Sequence, residues 1–490
     1  MTVRVRYAPS PTGEPHVGNV RTALWSWLHA RRHGGVFFVR IEDTDQTRLV
    51  PGSQERILES LRWLGMDWDE GPDIGGPFAP YTQSERLPLY QAAAAALLES
   101  GNAYRCFCTP ERLEELRNSQ RENHMPPGYD GRCRSLLPDE AEARAVTGEP
   151  NVVRFLVPDE GSTTFTDLIR GDITVENVTM DDFVILKSDG FPTYHLAHAV
   201  DDHAMEVTHV SRGDEWIPSA PRHVLLFRAL GYEPPIYVHT SIILAPGGGK
   251  LSKRHGAKAI LEYRDDGFLP EALFNFLAIT GWAPDGTTEV MTKEQAAAVF
   301  DFDQLNAHPA TFDMDKLEWL NGIYLRQMSV SELSERFAQQ LERDLPPEVP
   351  RPLDRAFVEE ITPLVQERVK LLPEVTSLVD FFFDSTLAAP ARETLLGKPF
   401  RERPEAARAA LDAALAALRP LELWEPAAVE AALRAAAETA GEKPGDLFML
   451  CRVSVTGKSV TPPLFETMAI VGQETSLARL EAAAQVAAGT

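Results

Sequence analysis

Cysteine is scarce, with four in 490 residues: Cys106, Cys108, Cys133 and Cys451. So few thiols in so long a chain exclude a disulfide framework. No apolar run reaches the roughly 18 residues of a membrane-spanning helix, and no basic-then-apolar leader opens the chain. A cytoplasmic location and no membrane partner are therefore expected. Positive charge is also short, 48 Lys and Arg against 72 Asp and Glu, for a net charge of −24. That balance excludes a protein coated in basic residues. It does not exclude a nucleic-acid partner, because phosphate binding depends on local clusters of Arg and Lys. The Gly-x4-Gly-Lys-Ser/Thr phosphate loop is missing as well.

What is present is concentrated in two segments. The first, Ala8-Pro9-Ser10-Pro11-Thr12-Gly13-Glu14-Pro15-His16-Val17-Gly18-Asn19, follows a short alternating run, residues 3–7, and precedes a helical pattern, residues 20–32, with Ala23, Leu24, Trp27 and Leu28 on one face. Strand, Gly/Pro turn and helix N-terminus form a layout in which free backbone N–H groups and the helix dipole meet an anion. The second segment is Lys250-Leu251-Ser252-Lys253-Arg254-His255-Gly256, which follows three glycines. Two lysines and an arginine around a serine suit phosphate, and the two segments together suit a bound triphosphate.

Length and a 44% hydrophobic content fit a globular protein of two to four domains. Strand and helix patterns alternate over residues 3–96, with a second strand at 35–41 and Ser53 capping a helix that begins at Gln54. Such βαβ alternation implies a parallel sheet with its ligand at the carboxyl ends of the strands. Residues 101–189 interrupt it. They hold a helix opened by Thr109-Pro110, an Arg-, Pro- and Gly-rich loop over 117–134, and strands at 152–157, 173–178 and 183–186. Alternation resumes with a strand at 206–210 and a helix at 220–230. From about 270 the pattern is mainly helical, with Leu411, Leu415 and Leu418 on one face of an Ala-rich helix and Pro420, Pro426 and Pro444 as breaks.

The two segments resemble the HIGH and KMSKS signatures of class I aminoacyl-tRNA synthetases. Arg40-Ile41-Glu42-Asp43-Thr44-Asp45, Tyr81-Thr82-Gln83-Ser84-Glu85-Arg86, Tyr129-Asp130-Gly131-Arg132, Pro192-Thr193-Tyr194 and Arg212-Gly213-Asp214-Glu215 make the chain similar to the glutamyl-tRNA synthetase family. The resemblance implies an α/β Rossmann-like parallel-sheet catalytic domain (1–100 and 190–240), an inserted α/β domain for the tRNA acceptor end (101–189), a stem-contact region (241–324) and an all-α anticodon-binding region (325–490). It implies ATP with Mg2+, L-glutamate and tRNA as ligands, and a monomer is expected. Basic candidates for the tRNA face include Arg112, Arg117, Arg121, Arg132, Arg134 and Arg264. Two alternatives stay open: an enzyme that also glutamylates glutamine tRNA, and a catalytically silent nucleotide- or RNA-binding paralogue.

By the same resemblance, Ser10, His16, Gly18, Asn19, Lys250, Ser252, Lys253 and Arg254 would bind ATP, with His16, Lys250 and Lys253 catalytic. Arg6, Ser10, Glu42, Tyr194, His198 and Arg212 would hold glutamate, the match being looser at His198 and Trp216. Guanidinium offers a two-pronged fork to a carboxylate, which suits Arg6 and Arg212 to a substrate with two carboxylates. Some family members bind zinc with a fourth ligand two residues after the third cysteine. That position is Ser135 here, a poor zinc ligand, so Cys106, Cys108 and Cys133 are expected to be metal-free.

Overall fold

Strand β1 (Arg4–Tyr7) is buried throughout and pairs in parallel with β2 (Val36–Val39). A parallel pair needs a crossover, which helix α1 (Val17–Arg32) supplies by burying Val20, Leu24, Trp25 and Leu28. These coordinates are a computed structural model describing residues 2–251, 258–384 and 387–489. The chain divides into two compact units, Met1–Arg264 with Pro270–Leu317, and Asp265–Leu269 with Glu318–Thr490.

In the first unit, α2 (Ser53–Trp63) and α3 (Leu87–Glu99) follow β2. Ser53 is not the cap of α2. Its hydroxyl instead donates to Gly13 O (2.5 Å) and accepts from Gly13 N (3.2 Å), pinning the turn that precedes α1. Strand β3 (Ala103–Cys106) opens the next segment, followed by α4 (Pro110–Glu122), which Thr109 caps by accepting from Arg112 N, and α5 (Pro138–Val146). Then come β4 (Val152–Phe155), β5 (Ser162–Asp167), β6 (Gly171–Glu176) and β7 (Val184–Leu186).

The strands expected at 152–157 and 183–186 form with shorter bounds and that expected at 173–178 forms two residues earlier, whereas β3 and β5 have no counterpart in the sequence reading. In β5 every second residue is exposed and the exposed face is Ser and Thr, so it lacks the apolar run that marks a strand. Strands β3, β4 and β7 form one antiparallel sheet.

After α6 (Tyr194–Ala204) come β8 (His209–Gly213), α7 (Ala220–Ala229) and β9 (Ile236–Thr240). Strands β8 and β9 run parallel, and β9 also meets β5, giving the order β6-β5-β9-β8. The strand expected at 206–210 begins three residues later. Glu206 has φ of 55° and Val207 N bonds back to Asp202 O, so these residues finish the end of α6. The shift places Arg212 inside β8, directly opposite His239 on β9, where the sequence reading set it after the strand.

Every described regular element after Met314 is helical. In the second unit, Pro404–Leu418, Pro426–Ala440 and Gln473–Ala488 share a core in which Leu411, Leu418, Val429, Leu433 and Leu480 are fully buried. Pro426 and Pro444 each stand at the first position of a helix, where the missing N–H costs nothing. No helix among the described residues is long and apolar enough to cross a membrane.

Candidate active site

A cleft of about 900 Å3 opens at the carboxyl ends of β1 and β8, lined by Arg6, Ser10, His16, Glu42, Tyr194 and Arg212, with Gly18, Asn19, Trp216 and Lys250 also on its wall. The fold brings these ten to one cleft from positions up to 244 residues apart. His198 is not on the wall. Ser252, Lys253 and Arg254 lie outside the described residues.

His16 is the residue before α1, and its Nδ1 accepts from Gly18 N (3.2 Å). A Cβ on Gly18 would stand 3.2 Å from the imidazole Cε1, so the glycine keeps room for this cap. With Nδ1 occupied as acceptor, the neutral ring carries its proton on Nε2 and is a donor there. The first turn of α1 contains no acidic residue, which leaves its positive end unopposed.

Two arginines face the cleft in opposite states. Arg6 is paired: Nε and Nη2 each bond Asp202 at 3.1 Å. Asp202 also takes Arg40 Nη1 (2.7 Å) and His198 Nδ1 (2.9 Å), and Arg40 reaches Glu42 (3.0 Å). Burial would raise the Asp202 pKa, but the Arg6 and Arg40 guanidiniums hold it well below the carboxylate range. Burial pushes Glu42 above its ordinary value, Arg40 and Arg6 opposing. His198 is fully buried behind this cluster, and burial lowers its pKa to about 4, so the ring is neutral. It stacks beneath Tyr194 with ring centres 5.6 Å apart, a support and not a cleft residue.

Arg212 has no carboxylate within 4 Å among the described residues. Its Nε donates to His239 Nε2 (3.0 Å), and Nη1 bonds Tyr194 Oη and His223 Nδ1, each at 3.1 Å. Its Nη2 is buried with no hydrogen-bond partner. The acceptors are neutral imidazoles. His239 donates from Nδ1 to Asp167 (2.8 Å), which fixes the bare Nε2 towards Arg212, and His223, whose Nδ1 accepts from Arg212, donates its one N–H from Nε2 to His195 Nδ1 (2.9 Å). Burial drives His223 well below 6.5 and His195 to about 4.

Sequence reasoning missed Asp202, His223 and His239, and it quoted Arg40 only within a motif. One signal was available: six of the chain's 12 histidines fall between positions 195 and 239. It also missed Arg21 on the cleft wall, whose guanidinium bonds Thr280 O (2.9 Å) and Ser241 O. Lys250 lines the cleft but is tied to Glu215 (3.1 Å). Of the basic candidates elsewhere, Arg112 pairs with Asp130, Arg134 with Asp159 and Asp182, and Arg264 with Glu59. Arg117, Arg121 and Arg132 are exposed and carry no ion pair among the described residues.

The cysteine trio is compact, its sulfurs within 4.8 Å of one another. Cys108 and Cys133 sulfurs are 3.7 Å apart, and Tyr129 Oη lies 3.4 Å from Cys106 Sγ and 3.5 Å from Cys108 Sγ. Zinc bonds of about 2.3 Å to sulfur and about 2.0 Å to oxygen, at tetrahedral angles, separate two sulfurs by ~3.8 Å and sulfur from oxygen by ~3.5 Å. The donor set therefore fits zinc, with Tyr129 as the fourth group. Ser135, the position where some family members place a fourth ligand, lines a groove with Val157 and Asp159.

Residues 2–319 match the family described as tRNA synthetases class I (E and Q), catalytic domain, and residues 332–484 match an anticodon binding domain. The chain is 48% identical over 479 residues to a glutamate–tRNA ligase of Dehalococcoides mccartyi (strain CBDB1), covering 98% of this chain and 96% of that one. It is 46% identical over 495 residues to a protein of the same name from Acidothermus cellulolyticus, covering 99% and 96%. The crystal structure of a glutamate tRNA ligase from Elizabethkingia meningosepticum CCUG26117, in complex with its amino acid, superposes with a TM-score of 0.90 at 34% identity, over 99% of both chains.

Proposed function

The chain belongs to the class I glutamyl- and glutaminyl-tRNA synthetase family, and from that premise we propose that it joins L-glutamate to the 3′ end of glutamate tRNA through glutamyl-adenylate, consuming ATP. The observation that carries the choice of amino acid is Arg212, a buried guanidinium facing the cleft with one nitrogen unpartnered and no protein carboxylate beside it. A buried, unpaired donor of this kind calls for an anion. We assign it the side-chain carboxylate of glutamate, with Arg6, already committed to Asp202, shaping the opposite wall beside Glu42.

In the first step a glutamate α-carboxylate oxygen attacks the α-phosphorus of ATP, and the bond to the departing pyrophosphate breaks. The His16 Nε2–H and the first turn of α1 donate to the phosphates, and Lys250 is placed to leave Glu215 for them. Mg2+ carried on the phosphates would neutralise part of their charge. In the second step a ribose hydroxyl of the terminal tRNA nucleotide attacks the acyl carbon and AMP leaves, its phosphate able to take the proton. Catalysis is then positioning and charge stabilisation, with no covalent enzyme intermediate.

Arg117 and Arg121 on α4, with Arg132, are the cations available to tRNA in residues 101–189, the segment we assign to the acceptor end. The helical region from 325 onward would read the anticodon. Both ATP and tRNA place such an enzyme in the cytoplasm. Zinc, where bound, would be held by Cys106, Cys108, Cys133 and Tyr129, tying β3 to the loop after α4. The test is glutamate-dependent exchange of pyrophosphate into ATP with glutamate tRNA present, because the family resemblance implies that tRNA must bind before glutamate is activated. His16→Ala should cut it by about 100-fold, the usual cost of one lost donor to developing charge. Exchange within a few-fold of the unaltered protein would remove His16 from the chemistry.

A further inference from the structure

We propose that His29, His33 and Asp301 form a second metal site, for a divalent ion of the zinc, cobalt or nickel type, at the end of α1 remote from the cleft. Thirteen residues separate His16 from His29, about 20 Å along the helix. His29 lies in the last turn of α1 and His33, four residues on, is the residue that caps it, where the orphan carbonyls favour a cation. Asp301 comes from the segment before Phe302. Its Oδ1 is 3.1 Å from His29 Nδ1 and its Oδ2 is 3.2 Å from His33 Nε2, and one donor atom from each of the three falls within 4.8 Å of the others.

The second observation is the state of His29. Its side chain is 5% exposed, yet neither ring nitrogen makes a hydrogen bond among the described residues. The approach to Asp301 is close enough for one and misaligned for one. Two ligand atoms each about 2.0–2.1 Å from a zinc ion at a tetrahedral angle stand ~3.3 Å apart, so the separation is that of neighbours around an ion. The ring is held in place by Phe302, stacked at 4.3 Å, and by His209 at 4.9 Å. Two imidazoles and a carboxylate suit a borderline divalent ion, and three protein ligands leave positions for water. Arg32 Nε, 3.5 Å from Asp301 Oδ2, competes for that oxygen, so the site should be exchangeable. An ion there would clamp the end of α1 to the 301–304 turn.

The probe is Co2+ titrated into the full-length protein, followed by its visible absorption. Binding at His29, His33 and Asp301 should give d–d bands without the near-ultraviolet thiolate band that an ion on Cys106, Cys108 and Cys133 would show. His33 is partly exposed, so His33→Ala should fold normally and weaken the nitrogen–oxygen class of binding by at least ~10-fold. Asp301→Asn should do the same, and Zn2+ should raise the melting temperature of the unaltered chain but not of His33→Ala. Absence of such bands, or an affinity and a Zn2+-induced shift unchanged in both variants, would overturn the proposal.

Discussion

Arg6 and Arg212 sit at the ends of neighbouring strands, both buried and both facing the same cleft, yet their surroundings are opposites. Around Arg6 the protein supplies carboxylates: Asp202 binds Arg6 and Arg40 together, and Asp201 next to it takes Arg86 (2.7 Å), Tyr90 (2.7 Å) and Gln83 (2.9 Å). Around Arg212 it supplies only neutral acceptors, His223, His239 and Tyr194. A guanidinium matched by its own carboxylate is scaffold, while one solvated by neutral groups keeps its charge for a ligand. The first arrangement favours the fold, and the second stores a demand that substrate meets.

Breaking the paired side should give the largest effect. Asp202→Asn leaves two buried guanidiniums without their shared carboxylate and should destabilise the protein by about 3–5 kcal/mol. Denaturant unfolding checks this, and a midpoint near that of the unaltered chain would mean the cluster is not structural. Arg212→Ala should do the reverse. It should leave stability equal or higher, lower kcat/KM for glutamate by about 100- to 1,000-fold, and narrow the advantage over glutamine while the KM for ATP changes little. Unchanged selectivity would show that the side-chain carboxylate is read elsewhere.

The neutral acceptors also make the site pH-sensitive. Burial depresses the pKa of His195 and His198 to about 4 and that of His223 well below 6.5. Because the unfolded chain takes up protons first, stability should fall as pH drops from about 6.5 towards 4. Unfolding midpoints at pH 7 and pH 5 test this, and equal midpoints would mean the rings are already charged in the fold.

The smallest effect concerns the mirror case, in which electron-rich donors surround a place for a cation. The His33→Ala variant, stripped of the second site, should purify with about one zinc per chain, and a chelator should lower its melting temperature. Zinc well under that would restore the metal-free reading of Cys106, Cys108 and Cys133.

Much of this was legible in the residues. His16 and Gly18 stood out in a strand–turn–helix pattern that suits an anion, whereas Arg6, Glu42, Tyr194 and Arg212 were named through the resemblance to the synthetase family. Strand β5 was not legible, since its exposed face is Ser and Thr and it carries no apolar run, although its main partner β6 follows directly in the chain. The displaced start of β8 was hidden by Glu206, whose left-handed backbone extends the end of α6 where the β-branched run 207–210 suggested a strand.

By itself, then, the sequence determined the alternation of strands and helices early in the chain and the helical pattern of its last part, since both follow from local periodicity and turn chemistry, while the cationic site residues came through the family resemblance. Only the tertiary structure decided which cation is left without a carboxylate of the protein's own. That depends on strand register, which sets His239 opposite Arg212, and on the packing of α6, which brings Asp202 to Arg6 across 196 residues of chain. Burial then made the difference count, because a missing counter-charge is costly only where water cannot replace it.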